Sequence, residues 1–280
     1  MLIPAILLLM QSAAPTMTPQ MPTAALPIPR RKPAASAAPA PGPLPASLRL
    51  TTCLQQADSD PSAALITATT WGATAKGTAA VDPAQCRGTA LSELGRWSEA
   101  IDAFTMARDL EVLPERRAAL GAMAGNAALA AGDFARADTL LAAAHTEAAR
   151  TSPVLAGDIA IDRSRALFAL KRTDEVAAAL SEGRAGSPSN PAGWLLSATL
   201  ARKQNRLAEA QGWIERAAAL APADPAIGLE AGVIAALAGR DDAARRSWQS
   251  VIATAPTAPE AATARGYLAQ LPPPSPSTGK

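Results

Sequence analysis

The chain is poor in aromatic residues, in sulfur and in histidine. Aromatics are 3% of its 280 residues, so a core of stacked rings is not available. One histidine, His145, and two cysteines leave too few ligands for a structural zinc site. A net charge of +2 is too small for a nucleic-acid footprint, and no basic patch alternates with stacking aromatics. No run approaches the ~20 apolar residues that a membrane-spanning helix needs. No strand pattern is evident, so no glycine-rich phosphate loop follows one. Neither a metal nor a cofactor is expected.

What the chain has is alanine. Hydrophobic residues are 49% of the chain, and alanine supplies most of them. Small side chains let helices approach closely without large core residues. Residues 191–222 show how they are used. Trp194, Ser197, Ala198 and Ala201 fall on one face of a helix at i, i+3, i+4 and i+7. A polar turn follows at 204–206. Ala210, Ile214 and Ala217 make a second face, with Trp213 beside it, and Pro222 ends that helix. The pattern returns 34 residues later as Gly228, Ala231, Gly232, Ala235, Gly239, Ala244, Trp248, Val251 and Pro256.

A helix–turn–helix unit of this period resembles the tetratricopeptide repeat. Residues 81–114 carry Gly88 and Leu91, then Gly95-Arg96-Trp97 with Ala100, Phe104 and Ala107. Residues 118–151 carry Gly125-Asn126-Ala127, then Gly132-Asp133-Phe134 with Ala137, Leu141 and Ala144. Residues 157–190 are the weakest copy: Lys171 stands where glycine is usual and Thr173 where an aromatic is. Val176, Leu180, Gly183 and Pro188 keep the register. The turn residues Gly95, Gly132, Lys171, Asn205 and Gly239 are spaced by 37, 39, 34 and 34. The larger gaps read as insertions at inter-repeat turns, around 112–114 and 151–153.

The resemblance implies an all-α fold. It would be a right-handed α-solenoid of about five to six repeats with a C-terminal capping helix. The expected repeats are 81–117, 118–156, 157–190, 191–224 and 225–258, after a degenerate helical pair at 46–80. The cap is expected at 259–271 and a disordered tail at 272–280. Small residues at Ala100, Ala137, Ala210 and Ala244 would let the two helices of a repeat approach. Phe104, Leu141, Ile214 and Trp248 would fill the gap to the next.

In this family the first helix of each repeat lines a concave groove that takes peptides. Family register puts Gln85, Thr89, Asn126, Ile161, Arg165, Phe168, Leu195, Thr199, Arg202 and Leu229 there. Asn126 and Arg165 are candidates to hold a peptide backbone or carboxylate, and Phe168 to receive an apolar side chain. Leu195, Thr199 and Arg202 extend the candidate surface. Chaperone-binding members grip a C-terminal carboxylate with Lys and Asn at fixed groove positions. Here those places hold Gln85, Thr89, Met123, Asp158 and Asp162, which do not suit that partner.

The apolar run at residues 2–10 fits the core of a secretory signal peptide, with small residues at Ser12, Ala13 and Ala14 for cleavage. No Lys or Arg precedes it, and Pro15 is an awkward residue behind a cut. The alternatives are a frayed apolar N-terminus or a start misplaced upstream of Met17 or Met21. Ten prolines between Pro15 and Pro45 predict an extended, disordered linker, reaching up to roughly 90 Å. Asp60-Pro61 and Asp82-Pro83 each read as a cap and first helical residue. Cys53 and Cys86 lie close to one repeat period apart, on helices that a stacked solenoid sets side by side. A disulfide is expected between them, which suits an exported protein; two buried thiols would suit a reducing compartment.

These readings predict a non-enzymatic scaffold for a protein or peptide partner, periplasmic or secreted. The alternatives are an envelope enzyme or sugar-binding protein built on the solenoid, or a cytoplasmic adaptor. His145 near a helix end and Asp241-Asp242 at a turn are better explained by helix-end electrostatics than by catalysis.

Overall fold

A computed structural model of the protein describes residues 46–272. The expected leader at 1–14, the linker at 15–45 and the tail beyond 272 lie outside the described residues. The described residues form α1 (Ala46–Ser59), α2 (Pro61–Gly72), α3 (Val81–Glu93), α4 (Trp97–Leu110), α5 (Pro114–Ala130) and α6 (Phe134–Ala148). They continue through α7 (Pro153–Ala169), α8 (Thr173–Gly186), α9 (Pro191–Lys203) and α10 (Leu207–Leu220). The last three are α11 (Pro225–Leu237), α12 (Asp241–Thr254) and α13 (Pro259–Leu268). A short 3-10 turn, Gly77–Ala80, precedes α3.

Local sequence sets the helix ends. Proline opens α2, α5, α7, α9, α11 and α13, where its missing N–H is harmless. Asp60, Ser152, Asn190 and Asp224 accept from backbone N–H groups of the turn they cap. The turn residues Gly95, Gly132, Lys171, Asn205 and Gly239 all adopt positive φ, between 58° and 76°. After each, the next backbone N–H returns to a carbonyl of the helix just ended, as from Arg96 to Leu91 (2.8 Å) and Arg172 to Leu167 (3.0 Å). This closing motif reverses the chain so that each pair of helices packs antiparallel.

Two details depart from the sequence reading. The extra residues behind the longer spacings do not loop out. They lengthen α5 and α7 to 17 residues each, against 13 in α3, α9 and α11. Continuing the backbone ladder through alanine-rich sequence costs less than leaving those groups to solvent in a loop. Asp82 is not a cap either. It lies inside the first turn of α3, which starts at Val81, and pairs with Arg116 of α5. The 3-10 turn runs directly into α3, and Ala80 stands at the cap position without a side-chain hydrogen bond.

Each helix packs on the next along the chain, and the odd-numbered helices also touch one another, α5 on α7, α7 on α9, α9 on α11 and α11 on α13. The even-numbered helices make no comparable contacts among themselves. A row held together along one side curves around that side, which therefore becomes the inner face. The large residues of the even helices reach both ways. Phe104 joins Ala124 and Ala127 of the following repeat, yet its ring also presses on Gly88 of its own. At the chain's start, Cys53 of α1 and Cys86 of α3 form a disulfide with Cα atoms 6.1 Å apart. The bond lies among Ala68 and Trp71, so it links the first pair to the next through a buried cluster.

Candidate functional site

The inner face is built by α3, α5, α7, α9 and α11, and its chemistry changes along the row. On α3 and α5, Thr89, Ser92, Met123 and Asn126 line a shallow, open cleft with Trp97 and Phe104. Gln85 accepts from Arg116 at 3.1 Å. Further along, α7, α8 and α9 enclose a narrower cleft of about 180 Å³. Val176, Leu180 and Leu196 give it apolar walls, and Ser164, Arg165, Phe168, Thr199 and Lys203 complete the lining. Phe168 is 45% exposed, whereas Phe104 is buried in the core. The Lys203 Nζ stands 5.4 Å from its ring centroid, within reach of the ring's negative face.

The six groove candidates separate here. Arg165, Phe168 and Thr199 share the α7–α9 cleft. Asn126 lies in the neighbouring one and donates to Asp162 at 2.8 Å. Arg165 also pairs with Asp162, so one carboxylate holds both groups expected to grip a peptide. Arg202 is tied to Glu230 of α11 at 2.6 Å. Leu195 turns toward the cluster of Ala198, Ile214 and Ile227 and helps hold the repeats together. Of the wider register, Ile161 is 1% exposed and packs against Gly183 and Gly193, and Leu229 packs in the last core cluster.

Sequence reading missed Lys203 and Lys171. A second cleft adjoins the first, lined by Phe168, Ala169, Lys171, Thr173, Leu200, Lys203 and Gln204. Phe168 and Lys203 form the ridge between the two. Lys203 lies four residues after Thr199 on the same helical face, a spacing that would have found it. Lys171 carries no such signal, because it occupies a turn position outside the groove-lining helices. His145 meets Glu182 of α8, with Nε2 3.3 Å from the carboxylate, away from these clefts.

Paired antiparallel helices, left-handed turn residues at each reversal and a face built by alternate helices together specify one architecture. The chain folds as a tetratricopeptide-repeat solenoid. Solved structures agree. The type IV pilus biogenesis factor PilW matches this repeat array with a TM-score of 0.63 at 15% identity, over 78% of this chain and 97% of PilW. TTC0263, a thermophilic TPR protein of Thermus thermophilus, gives 0.55 at 19% identity, over 68% of this chain and 100% of its own. The APC/C hetero-tetramer Cut9–Hcn1 gives 0.62 at 13% identity, over 80% of this chain and 42% of the matched one. At such identities the likeness concerns the solenoid itself. No family model and no curated protein matches the sequence. No described helix of the solenoid is long and apolar enough to cross a membrane.

Proposed function

We propose that this protein is a non-enzymatic docking scaffold. It holds a protein or peptide against the inner face of its repeats and works in the cell envelope, beyond the reducing cytoplasm. The carrying observation is the α7–α9 cleft. An exposed aromatic beside apolar walls, with a rim of Arg165, Thr199 and Lys203, offers an extended chain both an anchor pocket and polar contacts. The α3–α5 cleft with Asn126 lies on the same face and extends the docking surface. The compartment is supported by two features: the apolar run at residues 2–10, and the Cys53–Cys86 disulfide, a bond that reducing compartments rarely maintain.

Crosslinking in the native cell tests the docking role. Photo-reactive residues at Phe168 and Thr199 should capture one dominant protein, and residues placed on exposed positions of α10 and α12 should not. Capture solely from α10 and α12 would overturn the assignment of the face. Thiol titration of protein isolated from its own cell tests the compartment. No titratable thiol is expected; two free cysteines would remove the envelope reading.

A further inference from the structure

The two clefts that meet at Phe168 are lined by three cations and no carboxylate. Arg165 and Lys203 line the first, and Lys171 and Lys203 the second. Among the described residues, neither Lys171 nor Lys203 forms an ion pair, whereas Arg172 pairs with Asp138 and Glu175, and Arg202 with Glu230. Asp162, on the same helix as Phe168, is already occupied by Arg165 and Asn126. Of the three cations at the two clefts, Arg165 is held by Asp162, and Lys171 and Lys203 are the two left without an ion pair among the described residues.

Lys171 adds an independent point. It sits at φ 60°, in the left-handed region, where Gly95, Gly132 and Gly239 serve the corresponding turns. A side chain with Cβ is disfavoured there by about 1 kcal/mol or more relative to glycine. The turn therefore carries a local penalty and projects a cation beside a docking cleft.

We infer that the Phe168 ridge recognises an acidic peptide segment that carries a large apolar residue. The apolar side chain enters the cleft between Val176, Leu180 and Leu196, against the Phe168 ring. Flanking carboxylates lie on Lys203 and Lys171. Opposite charge concentrated at an apolar pocket selects partner and register more than it adds raw affinity. This inference deepens the docking role proposed above and rests on it.

The test uses the full chain on an array of randomised peptides, followed by titration of the best binder. Selected peptides should pair a large apolar residue with adjacent Asp or Glu. Replacing those acids by their amides should weaken binding about tenfold at low salt, and added salt should narrow the gap. Lys203→Gln should weaken the acidic peptide about threefold or more and leave the amide peptide unchanged. Lys171→Gly should also weaken the acidic peptide while its melting temperature stays equal or rises, which separates recognition from folding. If peptides are selected for the apolar residue alone, and Phe168→Ser abolishes that binding, the acidic preference is overturned while the docking cleft stands. If no peptide is selected by the parent chain, both readings fall.

Discussion

The indole of Trp248 lies directly over Gly232 of the preceding helix. A Cβ built on Gly232 would sit 2.1 Å from the indole Nε1, which itself donates to the Leu229 carbonyl at 3.1 Å. Gly232→Ala must therefore displace the ring and break that hydrogen bond. We expect a loss of about 1–3 kcal/mol. Gly212, on the exposed side of α10 with open space around it, is the control. Gly212→Ala should stabilise by up to about 1 kcal/mol. Thermal melts of the two variants check the pair, and equal melts would refute this account of the crossing.

Ala210 makes the matching case for overpacking. It is fully buried among Ala198, Ala201 and Ile214. Ala210→Leu should cost about 1–3 kcal/mol by forcing α9 and α10 apart. Denaturant midpoints report the change, and an unaltered midpoint would mean this crossing has slack.

Arg184 ties three helices at the boundary between α8 and α9. Its guanidinium lies 4.6 Å from the Trp213 ring centroid and 5.7 Å from that of Trp194, and it donates to the Ser197 hydroxyl. Burial among these groups pushes its pKa down from the ordinary guanidinium value. Arg184→Ala should loosen this boundary by about 1–2 kcal/mol through lost stacking and packing. Hydrogen exchange should quicken in α8–α10 before it does in α3–α6. A uniform change along the chain would argue against a local tie.

Cutting the disulfide should act locally as well. The Cys53–Cys86 bond closes a loop with a sequence separation of 33. The chain-entropy model gives such a loop about 3.5–4 kcal/mol. In a row of nearest-neighbour repeats the loss should fall on α1 and α2. Reduction should expose α1 and α2 to protease while α9–α13 stay protected. Global unfolding on reduction would contradict a nearest-neighbour account.

Acid should weaken the surface pairs. Hydrogen bonds from Arg172 hold the Glu175 carboxyl below its usual range, and Arg96 does the same for Glu99. Such a group binds fewer protons folded than unfolded. Its contribution is present above the unfolded carboxylate value, about 4.3, and is lost as pH falls through the lower folded value. Both carboxylates are exposed, so the effect is small and salt-screened. The double variant Glu99→Gln/Glu175→Gln should lose less stability than the parent on acidification below about pH 4. Superimposable pH–melting curves would exclude these two pairs as contributors.

The sequence by itself determined the period, the five turn residues from Gly95 to Gly239, the cap at Asp60, and the pairing of Cys53 with Cys86. Helical periodicity and turn geometry act over a few residues, so they can be read along the chain; the disulfide followed because the repeat period relates distant residues. Only the tertiary structure decided which inner-face groups remain available. Asn126 and Arg165 converge on Asp162, Arg202 goes to Glu230, and Lys171 and Lys203 are left beside Phe168. Those outcomes depend on the offset between α5, α7, α9 and α11, and packing between whole repeats sets that offset. The same packing drew Ile161 and Leu195 away from the groove, because an apolar side chain near a helix crossing is more stable buried there than facing water.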